Sequence, residues 1–129
     1  SYDTSAGYYR IGSMGGNAIL PMEYDGDTHT DTWKMTDNSE IYSITFIMQD
    51  RCLSTLQTAL SGNTAITSNY DIYVGQPSGV DIPIPETSMG YSYTSVTCEL
   101  KSGGTPQTSL SATSTSHFRI AKIYIQYYA

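Results

Sequence analysis

The chain has 129 residues, the length of one domain, and can bury a core without needing disulfides or metals. Only 6 residues are Lys or Arg, and the formal net charge is -6. Because phosphate backbones and anionic membranes are bound through basic side chains, we expect neither nucleic acid nor a membrane as a partner. No apolar stretch approaches the roughly 20 residues of a membrane-spanning helix.

The composition predicts a mainly β domain. Tyrosine and β-branched residues, which favour strands, are abundant, and 11 Gly and 5 Pro separate the apolar runs. We expect residues 1–129 to form a single antiparallel β-sandwich or barrel, with one short α-helix at about residues 50–61 packed on the sheet. The start at Ser1 fits removal of an initiator Met and cleavage of a leader equally well.

Residues 1–17 are predicted to form a flexible or subunit-contacting arm. Tyr8, Tyr9 and Ile11 have the composition of a short strand, which the following glycines interrupt. The glycines lack the Lys and the following helix of a phosphate-binding loop. We therefore expect Tyr8 and Tyr9 to be subunit contacts.

An acidic stretch follows. Asp25, Asp27 and Asp31 offer the hard oxygen ligands that calcium prefers, but their spacing is not that of an EF-hand. Asp25-Gly26 is also a common turn sequence. Three interpretations stay open: a solvated loop, a calcium site, or catalytic carboxylates. Trp33 is expected in the core, with stacking on a sugar as the alternative.

The clearest secondary-structure pattern in the sequence begins at residue 41. Alternation predicts a strand over residues 41–49 with one face in the core, formed by Tyr42, Ile44, Phe46 and Met48. Because a short polar turn precedes it, we predict a hairpin between Trp33 and Phe46. A helical period follows, with Asp50 as the expected N-cap, Gly62 as the stop, and an apolar face formed by Cys52, Leu53, Leu56, Ala59 and Leu60.

The second half of the chain contains three further predicted strands. Residues 61–69 are expected to be a polar loop, followed by strands over residues 70–74 and 91–100. The alternating prolines of residues 80–85 indicate an extended surface segment, in which Ile82 and Ile84 are candidate subunit contacts. The Ser/Thr-rich residues 101–116 are expected to be a loop or a hairpin arm.

Residues 117–128 are predicted to form a strand beside residues 41–49 at the sheet centre. A bulge near Ala121-Lys122 would bring Phe118, Ile120, Ile123, Ile125 and Tyr127 onto one face. Tyr127 and Tyr128 are further candidate subunit contacts. Cys52 and Cys98 are expected to be buried thiols, with a disulfide between them as the alternative.

No catalytic constellation or cofactor motif is present in the sequence, so we expect no enzyme and no cofactor other than calcium. The leading hypothesis is a structural subunit of an extracellular or virion assembly (a capsid, decoration, tail or fibre protein) that forms homo-oligomers or joins other structural subunits. The alternative is a secreted carbohydrate- or calcium-binding β module.

Overall fold

The computed structural model of the chain describes residues 8–10, 24–35, 37–87, 90–116 and 120–128. This part of the chain contains seven strands and two α-helices. Their bounds are β1 Tyr8–Arg10, β2 Tyr24–Lys34, β3 Ile41–Gln49, α1 Leu53–Ser61, α2 Thr64–Thr67, β4 Tyr70–Val74, β5 Tyr93–Leu100, β6 Ser109–Ser116 and β7 Ile120–Tyr127.

Five strands form an antiparallel sheet in the order β1-β7-β3-β5-β4. The prediction that β3 and β7 lie side by side at the sheet centre is therefore confirmed. The predicted bulge is confirmed too, because Ile47 pairs with Lys122 but Met48 pairs with Ile120, which leaves Ala121 without a partner on β3. The bulge brings the three isoleucines of β7 into the core, while Phe118 lies outside the described residues.

The second sheet consists of β2 and β6, with Trp33 opposite Leu110. The predicted hairpin between Trp33 and Phe46 is wrong, because β2 and β3 belong to different sheets. The two rings instead meet across the core, edge to face, with centroids 4.7 Å apart. The turn after β2, where Asn38 has a φ of 61°, thus carries the chain from one layer of the sandwich to the other.

The hydrophobic core lies between the five-stranded sheet and a second layer made of β2, β6 and the helices. The sheet contributes Ile44, Phe46 and Val96, and the second layer contributes Trp33, Leu56 and Leu110. Trp33 is 0% exposed, and its indole Nε1 has no hydrogen-bond partner among the described residues. The mainly β sandwich with a short helix packed on it is therefore the observed fold.

The helical region differs from its prediction in two details. Asp50 is not the N-cap, because residues Asp50–Cys52 form a 3₁₀ turn and Cys52 precedes α1 without a side-chain cap. Gly62 ends α1 as predicted, and Leu56, Ala59 and Leu60 are buried. The expected loop contains α2 instead, which begins because the Asn63 side chain accepts a hydrogen bond from the amide of Ala65.

Candidate functional site

The face of the five-stranded sheet that points away from the core is the candidate site, and we call it the outer face. On β5, Val96 and Cys98 belong to the core, so Tyr93, Ser95, Thr97 and Glu99 point outward. The same alternation places Tyr73 of β4 and Tyr124 of β7 outward. Five half-buried tyrosines therefore lie on this face: Tyr42, Tyr73, Tyr93, Tyr124 and Tyr128.

Small hydroxyl side chains form the floor between these tyrosines. Ser43, Thr45, Ser95 and Thr97 are all at most 5% exposed although they point away from the core. Thr45 Oγ1 and Thr97 Oγ1 lie 3.0 Å apart, and Thr97 donates to the carbonyl of Gly75 at 2.6 Å. Ser43 Oγ donates to Gln126, so the hydroxyls of Ser43, Thr45 and Thr97 are all satisfied inside the chain. The floor is therefore a polar base from which the larger side chains project.

Glu99 connects two of the tyrosines. The Tyr73 hydroxyl donates to Glu99 Oε1 at 2.9 Å, and Tyr42 also hydrogen-bonds to this carboxylate. Burial is the main cause that raises the pKa of Tyr73 above its usual value. The hydrogen bond to Glu99 and the negative charge of Glu99 raise it further. Burial and then the Glu99 charge raise the pKa of Tyr42 as well. Both phenols are thus held neutral, as donors to one carboxylate.

The ring of Tyr42 also contacts the ring of Tyr128, with centroids 5.7 Å apart. Sequence alternation predicted Tyr42 in the core beside Phe46, and that prediction is wrong. A register shift between Ile41 and Ser43 puts Ile41 in the core and leaves Tyr42 beside Glu99.

Tyr93 and Tyr124 differ from the other tyrosines of the outer face. Both are half-buried, and neither has a hydrogen bond or ring contact within the described residues. Packing in the core does not account for the position of either tyrosine, since both side chains point away from it. The exposed part of each side chain is therefore available to a partner.

The segment after β4 borders this face. Gln76 binds Ile82 through both backbone groups, accepting from its amide at 2.7 Å and donating to its carbonyl at 2.8 Å. Ile82 is consequently 3% exposed, so of the two isoleucines predicted as subunit contacts only Ile84, at 41%, presents surface. Ile47 of β3 is also buried outside the central core, on the side of the outer face.

Of the residues predicted as a ligand site, the structure describes the side chains of Asp31 and Trp33. Trp33 is enclosed in the core, so it cannot stack on a sugar as the alternative interpretation required. Asp31 is half-buried on β2 opposite Ala112, and the side chains of Asp25 and Asp27 lie outside the described residues. Within the described ranges no group of three or more His, Cys, Asp or Glu could hold a metal, and calcium binding stays a prediction.

The remaining predicted residues are spread over the molecule. Tyr8 and Tyr9 lie on β1, the edge strand of the five-stranded sheet, although their side chains are outside the described part. Tyr127 packs against the core, and Tyr128 lies on the outer face. Cys52 and Cys98 are both buried thiols in this structure, and no disulfide joins them.

Sequence reasoning missed the outer face as a unit. Alternation within single strands could not show which strands lie beside one another. The signal that would have found the face is the register between strands, which brings Thr97 of β5 next to Thr45 of β3 and Tyr73 of β4.

Comparison with protein-family models, curated proteins and solved structures found no match to this chain. In the described part of the chain, no helix combines the length and the apolar character needed to cross a bilayer. The functional conclusion therefore rests on the geometry of the site.

Proposed function

We propose that the chain is a structural subunit of an extracellular or virion assembly, such as a capsid, decoration, tail or fibre protein, and that it acts by self-association into a homo-oligomer. The observation that carries this proposal is the outer face, with five tyrosines above a satisfied polar floor. Tyrosine is enriched at protein interfaces, where it supplies a large, rigid contact area together with a hydroxyl group.

The chemistry of the outer face supports a protein partner. Within the described residues Tyr93 and Tyr124 have no hydrogen bond and no aromatic pair, whereas Tyr42 and Tyr73 are already fixed by hydrogen bonds to Glu99. Interfaces commonly contain such preorganised aromatic residues, because fixing a rigid side chain on binding loses little conformational entropy. Tyr93 and Tyr124 are therefore the residues that we expect to contribute most of the binding energy.

The test is the association constant of a double variant. Replacing an interface tyrosine that acts as a hot spot costs about 2 kcal/mol, which is more than tenfold in Kd. Tyr93→Thr with Tyr124→Thr keeps strand-forming residues on β5 and β7 while removing both rings. We expect the Kd for self-association, measured by sedimentation velocity, to rise at least 100-fold.

Val74→Thr is the matched control, because Val74 is 53% exposed at the end of edge strand β4 but is not one of the tyrosines of the outer face. Its association should equal that of the wild type. If the double variant assembles as tightly as the wild type, the outer face is not the interface.

A carbohydrate-binding module is the second candidate, favoured by a single observation. The outer face combines aromatic rings with the carboxylate of Glu99 and the amide of Gln126, which already accepts from Ser43 at 2.6 Å. Rings and planar polar groups in this combination also suit sugars. Glycan binding that is lost in the double variant, by a chain that is monomeric at micromolar concentration, would establish this alternative.

A further inference from the structure

Four strands of the five-stranded sheet, β3, β4, β5 and β7, contain three charged residues between them. These are Asp71 on β4, Glu99 on β5 and Lys122 on β7. Tyr70 and Ile72 pack in or against the core, so Asp71 between them points to the outer face, where it lies directly opposite Glu99. The outer face therefore has two neighbouring carboxylates at one corner.

Lys122 lies at the opposite corner of this face. It pairs with Ile47 of β3, which is buried on the side of the outer face. The row of the two carboxylates crosses β3 at Ser43, one full turn of the pleat pattern and more before Ile47. Lys122 is thus about 13 Å from that row along the strands, and β7 lies about 14 Å across the sheet from β4.

This separation keeps Lys122 from neutralising the carboxylates of its own chain. The diagonal from Lys122 to Asp71 is about 20 Å, more than twice the roughly 8 Å over which exposed charges interact in physiological salt. Lys101 follows β5, but its Nζ donates to the carbonyl of Thr67 in α2 at 2.9 Å. Because each copy has a net charge of -6, two copies repel each other unless opposite charges meet in the interface.

The sheet register allows both corners to be matched at once. One row of side chains runs between the two corners and consists of Tyr73, Thr97, Thr45 and Tyr124. The middle of this row, where the two threonines lie side by side, is also the midpoint of the diagonal from Asp71 to Lys122. A two-fold axis between two facing sheets, perpendicular to the diagonal at this midpoint, exchanges the corners and forms the same contact twice. The strands of the two sheets then cross at about 90°, which is one of the common angles of sheet packing.

We propose that the outer face of one copy stacks on the outer face of a second copy so that Lys122 of each copy pairs with Asp71 and Glu99 of the other, in an inference that rests on the proposed self-association. The opposite stacking, with acidic corner on acidic corner, brings four carboxylates together and is repulsive. Asp71 is exposed, whereas Glu99 already accepts a hydrogen bond from Tyr73. Asp71 is therefore the carboxylate to exchange in a test.

Charge exchange between full-length chains tests this pairing. Asp71→Lys places lysine against lysine in both contacts, and Lys122→Glu places carboxylate against carboxylate, so we expect the Kd for self-association to rise at least about tenfold in either variant. For Asp71→Lys this result is opposite to the effect of net charge, which becomes less negative. In an equimolar mixture of the two variants, opposite charges meet again at both contacts, and we expect the heterodimer to have a Kd within about threefold of the wild type.

Sedimentation velocity gives each Kd, and native mass spectrometry of the mixture, with one variant isotope-labelled, separates the heterodimer from the homodimers. Lys34→Glu on β2 is the matched control for Lys122→Glu, because it makes the same change in net charge at an exposed position of the other sheet. Its Kd should stay within about threefold of the wild type.

Salt dependence of the wild-type chain tests the pairing without a substitution. Salt screens both attraction and repulsion. Matched corners therefore predict that the Kd rises with the salt concentration, whereas copies that only repel each other associate more tightly as salt is added.

Wild-type chains that associate more tightly in high salt, variants with the wild-type Kd, or a mixture no tighter than the single variants would each overturn the inference. If Tyr93→Thr with Tyr124→Thr still weakens association in that case, the proposed function stands. Wild-type chains that stay monomeric at every concentration would refute both.

Discussion

Replacement of Trp33 tests how the two layers of the sandwich are held together. The side chain is 0% exposed and packs edge to face on Phe46 with centroids 4.7 Å apart. Truncating a buried Trp to Ala costs about 3–5 kcal/mol, which is a large part of the 5–15 kcal/mol that stabilises a typical domain. We therefore expect Trp33→Ala to lower the free energy of unfolding by at least about 3 kcal/mol.

Trp33→Phe should behave differently, because two effects oppose each other. The smaller ring leaves a cavity, but the substitution also removes the buried Nε1–H, which has no partner among the described residues. An unsatisfied buried donor costs about 1–3 kcal/mol, similar to the cost of the lost volume. We expect a net change within about 1 kcal/mol of wild type.

Urea unfolding followed by circular dichroism measures both variants, since loss of the single Trp removes the fluorescence probe. A cost below about 1 kcal/mol for Trp33→Ala would show that this residue does not join the layers. If Trp33→Phe were as damaging as Trp33→Ala, the indole N–H would have to be satisfied and stabilising.

Three further predictions follow from individual contacts. Burial raises the pKa of Tyr70 to about 12, so folding favours the neutral form of this side chain. Its contribution to the free energy of unfolding is complete below about pH 10 and should decline between about pH 10 and 12, as measured by urea unfolding at each pH. Gln76→Ala removes two hydrogen bonds to Ile82, each contributing about 0.5–1.5 kcal/mol, and should accelerate amide hydrogen exchange of Ile82 more than tenfold while α1 remains protected. Cys52 and Cys98 are buried, and burial raises the pKa of the Cys98 thiol to about 12. Both cysteines should therefore react with a thiol reagent only after unfolding, and a disulfide detected by mass spectrometry would contradict the structure.

The five-stranded sheet was largely predictable because its signals are local. The alternation in β3, the change to a helical period at Leu53, and the parity break at Ala121 each lie within a few residues. Each of these patterns arises because one side of the element is buried against the same core. For that reason, the central strands, the helix and the bulge were identified from the sequence.

The second sheet was not predictable, because β2 and β6 pair across a separation in sequence of about eighty residues. Thr30 Oγ1 and Thr113 Oγ1 lie 2.7 Å apart, yet neither segment carries a pattern that selects the other. A short turn next to β2 favoured a hairpin with β3 on local grounds. The packing of Trp33 on Phe46 across the core instead places β2 in the other layer.

The outer face was predictable only in part for a related reason. The register shift that turns Tyr42 away from the core has no local signature. The position of Ile82 depends on a pair of hydrogen bonds with the Gln76 side chain, which composition cannot reveal. Sites assembled from several strands therefore need the register, which the sequence pattern does not supply.

Sedimentation velocity of the wild-type chain across a concentration series tests the central proposal most directly. Self-association through the outer face predicts a concentration-dependent oligomer that Tyr93→Thr with Tyr124→Thr shifts to monomer and that Val74→Thr leaves intact. A wild-type chain that sediments as a monomer at every concentration up to the millimolar range would contradict the account.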